Sequence, residues 1–100
     1  MRDFPCKLIS VTNGNTIEAD FDLCFGVRMK LNIRLFGVAD TKEAKADLIA
    51  LLPREFICET SYNKRGKVGR CLGKIFVLAE DGERININEL LIARGHQLET

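Results

Sequence analysis

The sequence predicts a mainly β domain with two short helices, an α+β class, and three observations carry that expectation. Val27, Met29, Leu31, Ile33 and Leu35 alternate strictly with Arg28, Lys30, Asn32 and Arg34, the period-two signature of a half-buried strand. Asn13-Gly14 joins two strand-like segments, and Asn-Gly is among the strongest short hairpin signals. Only two segments carry helical periodicity, and both are short: one stops at Pro53, and the other starts at Asn86 and ends before Gly95.

In chain order, Lys7 to Val11 reads as the first strand and Thr12-Asn13-Gly14-Asn15 as its turn. Ile17, Ala19 and Phe21 alternate with Glu18, Asp20 and Asp22 in a second strand, and Leu23 to Gly26 reverses the chain. The alternating third strand follows, with Arg34 on the face opposite its apolar row. Arg28 and Lys30 read as solvated charges. Thr41 to Leu52 forms a helix with Ala44, Leu48, Leu51 and Leu52 on one face. Phe56 to Thr60 and Cys71 to Leu78 are the last two strands, and Asp81-Gly82 turns the chain after them. Asn86 and Glu89 form a capping-box-like start for a helix that continues through Ile87, Leu90, Leu91 and Arg94 and ends at Gly95. Five strands with a helix after the third and another after the fifth suit a closed or nearly closed barrel of OB type. That fold serves oligonucleotide and oligosaccharide binders as well as enzymes, so function has to come from the site.

One hundred residues, 46% hydrophobic and 29% charged, describe a single ordinary globular domain spanning 1–100. No run of about 18 apolar residues is present, so no membrane helix is expected, and Met1 to Pro5 lacks the apolar run of a secretory signal. Cys6, Cys24, Cys58 and Cys71 form no CxxC pair. With His96 the lone imidazole, they read as reduced thiols in a cytoplasmic protein rather than a zinc site. Two disulfides are the alternative. A net charge of +1 excludes bulk coating of nucleic acid, so any polyanion contact is local. The local candidate is Lys64-Arg65-Gly66-Lys67-Val68-Gly69-Arg70, whose plain reading is a solvated loop. Ser10 and Ser61 have no partners for nucleophilic catalysis, and His96 reads as a surface or packing residue.

Two segments place one arginine each on an otherwise apolar or small strand: Ile33-Arg34-Leu35-Phe36-Gly37-Val38 and Lys67-Val68-Gly69-Arg70-Cys71-Leu72-Gly73. Guanidinium groups from two strands converging on one cleft make a phosphate clamp. Together with Val11-Thr12-Asn13-Gly14-Asn15-Thr16, Asp40-Thr41-Lys42-Glu43 and Ile87-Asn88-Glu89-Leu90-Leu91, these blocks resemble the thermonuclease (staphylococcal nuclease-like) family over nearly the whole chain. Asp20 to Gly26 resembles its short, stand-alone phage versions.

The resemblance implies an OB barrel that cuts DNA or RNA with one calcium ion. Two aspartates and a backbone carbonyl hold the metal, a glutamate handles the attacking water, and two arginines hold the phosphate. Carried over, the arginines are Arg34 and Arg70, with Lys67 as a further phosphate contact. The metal loop, usually Asp-Gly-Asp-Thr, reads Asn13-Gly14-Asn15-Thr16, so Asn15 stands at the first ligand position and removes a negative charge. The second acidic block has two registers. The usual spacing lands on Ala39 and Lys42, which removes both functional groups. One inserted residue instead aligns Asp40, Thr41 and Glu43, with Lys42 in place of a proline. Asp40 and Thr41 are then the remaining metal-site residues and Glu43 the glutamate that handles the attacking water. Their plain reading is a helix start whose acids favour the dipole. Val68 replaces a tyrosine, and Tyr62 is the only tyrosine in a chain without tryptophan, so stacking platforms are few.

The expectation is a nuclease-like domain that binds nucleic-acid or nucleotide phosphates through Arg34 and Arg70, with calcium-dependent hydrolysis weakened or lost. The alternatives are an active calcium-dependent nuclease, and a non-catalytic module that engages a host protein.

Overall fold

A computed structural model describes residues 2–61 and 70–97. Its strands are β1 (Arg2–Asn13), β2 (Thr16–Asp22), β3 (Arg28–Leu35), β4 (Glu55–Ser61), β5 (Arg70–Leu78) and β6 (Arg84–Asn86). The helices are α1 (Lys42–Leu51), between β3 and β4, and α2 (Ile87–Ala93), after β6. The strands hydrogen-bond in the order β3-β2-β1-β4-β5-β6, and a parallel β3–β5 pairing closes the first five into a mixed barrel of OB type. Every other neighbouring pair is antiparallel. The expected class and architecture are therefore present: a five-stranded barrel carrying two short helices.

Parts of the structure differ from the sequence reading because of how the strands pair. β1 starts at Arg2 rather than Lys7, because residues 2–7 form a ladder with β4 while pairing with β2 begins only at Cys6. A proline at position 5 is tolerated in that one-sided stretch. Register shifts between Leu8 and Ser10 and between Val11 and Asn13 bend β1, and such irregularities sharpen local twist. The turn at Asp81-Gly82, with Gly82 at φ +85°, leads into the additional strand β6, which pairs only with β5.

The apolar row of β3 is buried only at its C-terminal half. Ile33 and Leu35 are in the core, whereas Val27 and Met29 stand more than half exposed. Among the described residues, β3 meets β5 only from Asn32 to Leu35. Arg28 is not merely solvated: its Nε donates to Asp20 Oδ2 at 2.7 Å, a bond that raises the Arg28 pKa.

Inside the barrel, Ile17, Ala19, Ile33, Cys58 and Ile75 are fully buried. Gly73 lets the parallel seam close: a Cβ there would lie 2.7 Å from Cys58 Sγ and 3.1 Å from Ile33 Cγ2. α1 buries Ala44 and Leu48, and α2 buries Ile87 and Leu91. Cys6 and Cys58 are buried among apolar groups, while Cys24 is exposed on the β2–β3 reversal. Among the described residues, no helix is long and apolar enough to cross a membrane.

The C-terminal segment is pinned to α1 through Asp47. Asp47 Oδ2 lies 2.6 Å from His96 Nε2 and Oδ1 3.5 Å from Arg94 Nη1. The hydrogen bond from His96 holds the Asp47 carboxyl below its ordinary value; partial burial opposes this and the Arg94 charge adds to it. A depressed carboxyl binds its proton less readily in the native state than in the unfolded chain. Its stabilising contribution is therefore present above about pH 4 and fades as pH falls through the carboxylate range. Thermal melts should show wild type above Asp47→Asn at neutral pH, with the two converging on acidification. A gap independent of pH would refute this linkage.

Candidate functional site

Of the residues singled out in the sequence, Asn15, Arg34, Asp40 and Thr41 lie at one end of the barrel, where the β1–β2 turn, the end of β3 and the start of α1 meet. β2 begins there with Thr16 opposite Arg34 of β3, and Asn15 O accepts from Leu35 N at 2.7 Å. Arg34 is exposed on the outer wall, as period two requires when Ile33 and Leu35 point inward. Among the described residues it has no hydrogen-bond or ion-pair partner.

On the neighbouring strand, Arg70 stands opposite Asn32 and Leu72 opposite Arg34. The Arg34 and Arg70 backbones are thus one strand and two residues apart, a Cα separation of about 8 Å from ordinary sheet spacings. Lys67, and Lys64 to Gly69 as a whole, lie outside the described residues, as does Tyr62.

The acidic positions lie beside this wall. Of the two registers, it is Asp40 that reaches the β1–β2 turn, where its Oδ1 accepts from Gly14 N at 3.0 Å. Ala39 instead donates its N–H to His96 O at 2.8 Å. Gly14 allows the close approach, since a Cβ there would sit 2.5 Å from Thr41 O and 2.7 Å from Thr41 N. Thr41 is the N-cap of α1: its side chain accepts from Ala44 N at 3.0 Å and its carbonyl from Lys45 N at 3.0 Å. Glu43 is exposed in the first turn, where a carboxylate favours the helix dipole.

Asn15 is 6% exposed, and both ends of its amide are used internally. Its Nδ2 donates to Val38 O at 3.2 Å, and its Oδ1 accepts from the Thr16 hydroxyl at 3.1 Å. It ties the turn to the segment after β3. Calcium takes about six to eight oxygen ligands, preferably anionic ones. Here one carboxylate, already accepting an amide N–H, stands beside a neutral amide that serves as a strut. The Thr41 carbonyl accepts one hydrogen bond, from Lys45 N. Among the described residues, no group of three or more His, Cys, Asp or Glu side chains is placed to hold a metal. This donor set does not fit calcium as it stands.

Two residues that sequence reasoning did not single out belong to the same region. Asn88, 2% exposed on α2, donates through Nδ2 to Phe36 O and Gly73 O, both at 3.0 Å, and accepts from Ile75 N at 2.9 Å. One buried amide thus locks the end of β3 to β5. Phe36, which the locked backbone presents, is 53% exposed on the wall that carries Arg34. The Phe36 signal was in the alternation itself, since position 36 continues the outward series of 32 and 34. No pattern in the sequence marks Asn88 as a hub.

No model of a known protein family matches this chain, and neither does any curated protein.

Proposed function

We propose that this barrel binds the phosphate backbone of nucleic acid, or the phosphates of a nucleotide, through Arg34 and Arg70. Calcium-dependent phosphodiester cleavage, the chemistry its thermonuclease-like blocks imply, is lost. The observation that carries the reading is the parallel β3–β5 register, with Asn32 opposite Arg70 and Arg34 opposite Leu72. Two arginines at that separation, one with no partner among the described residues, suit bidentate capture of one phosphate or of neighbouring phosphates. The loss of cleavage is supported by Asn15, whose amide is spent on Val38 and Thr16.

Fluorescence anisotropy with a labelled oligonucleotide at low salt tests the clamp. Arg34→Ala and Arg70→Ala should each weaken binding by roughly ten-fold or more, and each should flatten the salt dependence by about one counterion. No measurable affinity of the wild type would remove the proposal. In millimolar calcium the wild type should leave the oligonucleotide intact. Cleavage would favour instead an active nuclease that uses Asp40 and Glu43.

One observation favours a second reading, a protein-interaction module. The β2–β3 reversal holds Cys24 at φ +74° and Phe25 at φ +55°, with Phe25 fully exposed. Non-glycine residues in left-handed conformations often mark sites under functional constraint. Under this reading Arg34→Ala would be silent.

A further inference from the structure

Phe36 follows Arg34 by two residues on the outer face, an advance of about 7 Å along an extended chain. The ring is left 53% exposed there. Its position is nonetheless rigidly set: the Phe36 N–H donates to Gly73 O at 3.0 Å, and its carbonyl accepts from Asn88 at 3.0 Å. Lys74, on β5 beside it, holds its ammonium 5.9 Å from the ring centroid. Its place in β5 is two residues past Leu72, the partner of Arg34. An aromatic ring, a guanidinium and an ammonium thus share one patch of barrel wall. Aromatic platforms interleaved with cations are how single strands are held without sequence preference.

We infer that Phe36 is a base-stacking platform for single-stranded nucleic acid, with Lys74 supplying charge to a phosphate adjoining the one held by Arg34. This rests on the phosphate-binding reading above and adds to it the substrate class. Stacking needs a base whose face is open, so single strands are selected over duplexes, whose bases are already stacked on one another. The limited supply of tyrosine and tryptophan is no obstacle, because a phenylalanine provides the platform.

The test compares two fluorescein-labelled probes with the same number of phosphates: an oligothymidylate of about ten nucleotides, within the site size of an OB fold, and an abasic oligomer of equal length. Wild type should prefer the oligothymidylate by roughly ten-fold. Phe36→Ala should erase that preference while leaving affinity for the abasic oligomer intact, and Phe36→Tyr should retain it. Arg34→Ala should weaken both probes and preserve their ratio. Thermal melts verify folding, and Phe36→Leu, which keeps apolar bulk without an aromatic face, should behave as the alanine variant does. Equal wild-type affinity for the two probes, or a preference that survives in both Phe36→Ala and Phe36→Leu, overturns the platform while leaving the clamp standing. Failure of the wild type to bind either probe overturns both.

Discussion

Replacing Asn88 with alanine is expected to destabilise the protein by about 4 kcal/mol, given about 1–3 kcal/mol for each buried group left without a partner. The substitution removes one side chain, orphans the Phe36 carbonyl and the Ile75 amide, and takes one of two donors from the Gly73 carbonyl, which keeps the Phe36 N–H. At 2% exposure, water has little access to replace them. For a small domain whose total stability is about 5–15 kcal/mol, this is a large fraction. The midpoint of thermal unfolding should fall by roughly 15–30 °C. Asn88→Asp should be at least as damaging at neutral pH, because a carboxylate cannot donate to two carbonyls and would set a buried negative charge against them. Urea unfolding measures both. A loss below about 1 kcal/mol in the alanine variant would mean that the Phe36 carbonyl and the Ile75 amide find other partners. The functional consequence follows from position: Asn88 holds the end of β3 against β5, where Arg34, Phe36 and Arg70 are set in register.

Gly14→Ala is the second large effect, expected at about 2–3 kcal/mol. The new methyl group would meet Thr41 O at 2.5 Å and Thr41 N at 2.7 Å. Both are backbone atoms at a capped helix start, so neither can swing aside as a long side chain would. Relief requires the β1–β2 turn to withdraw from α1, which breaks the bond from Gly14 N to Asp40. Gly82→Ala is a useful control, because nothing lies within 4 Å of its Cβ position and only its φ of +85° resists the change. That cost should be nearer 1 kcal/mol. Equal losses at the two positions would show that backbone conformation, rather than the close approach, governs Gly14. Amide exchange at Gly14 reports the same event directly, since its N–H should lose protection in a Gly14→Ala protein that is otherwise folded.

Much of the fold was legible because it rests on local rules. The alternation from Val27 to Leu35 specified a strand, Asn13-Gly14 a turn, and Pro53 a helix stop. Asn86 accepts from Glu89 N at 3.1 Å, as the capping pattern anticipated, and Gly95, at φ +95°, ends α2 as expected. The misjudged parts depend on neighbours distant in sequence. Val27 and Met29 carry the strand pattern yet stay exposed, and among the described residues β5 pairs with β3 only from Asn32 onward. Residues 2–6 become part of β1 because β4 lies alongside them, a fact that Pro5 conceals.

The candidate site divides in the same way. Arg34 was identifiable as an outward cation on a strand, and Asp40, Thr41 and Glu43 as a helix start. Whether Ala39 or Asp40 faces the turn was undecidable from spacing, because one inserted residue changes which side chain points where. In the fold Asp40 meets Gly14, Asn15 turns inward as a strut, and Asn88 emerges as the bond between seams. Residue order along the chain was sufficient for strands, turns, caps and a barrel-compatible sequence of elements, because those follow from hydrogen bonds and side-chain periodicity within a few residues. The closure of β3 on β5, the juxtaposition of Arg34, Phe36 and Lys74, and the commitment of Asn15 required the assembled barrel. Each is a contact between segments far apart in the chain, and only packing brings such segments within bonding distance.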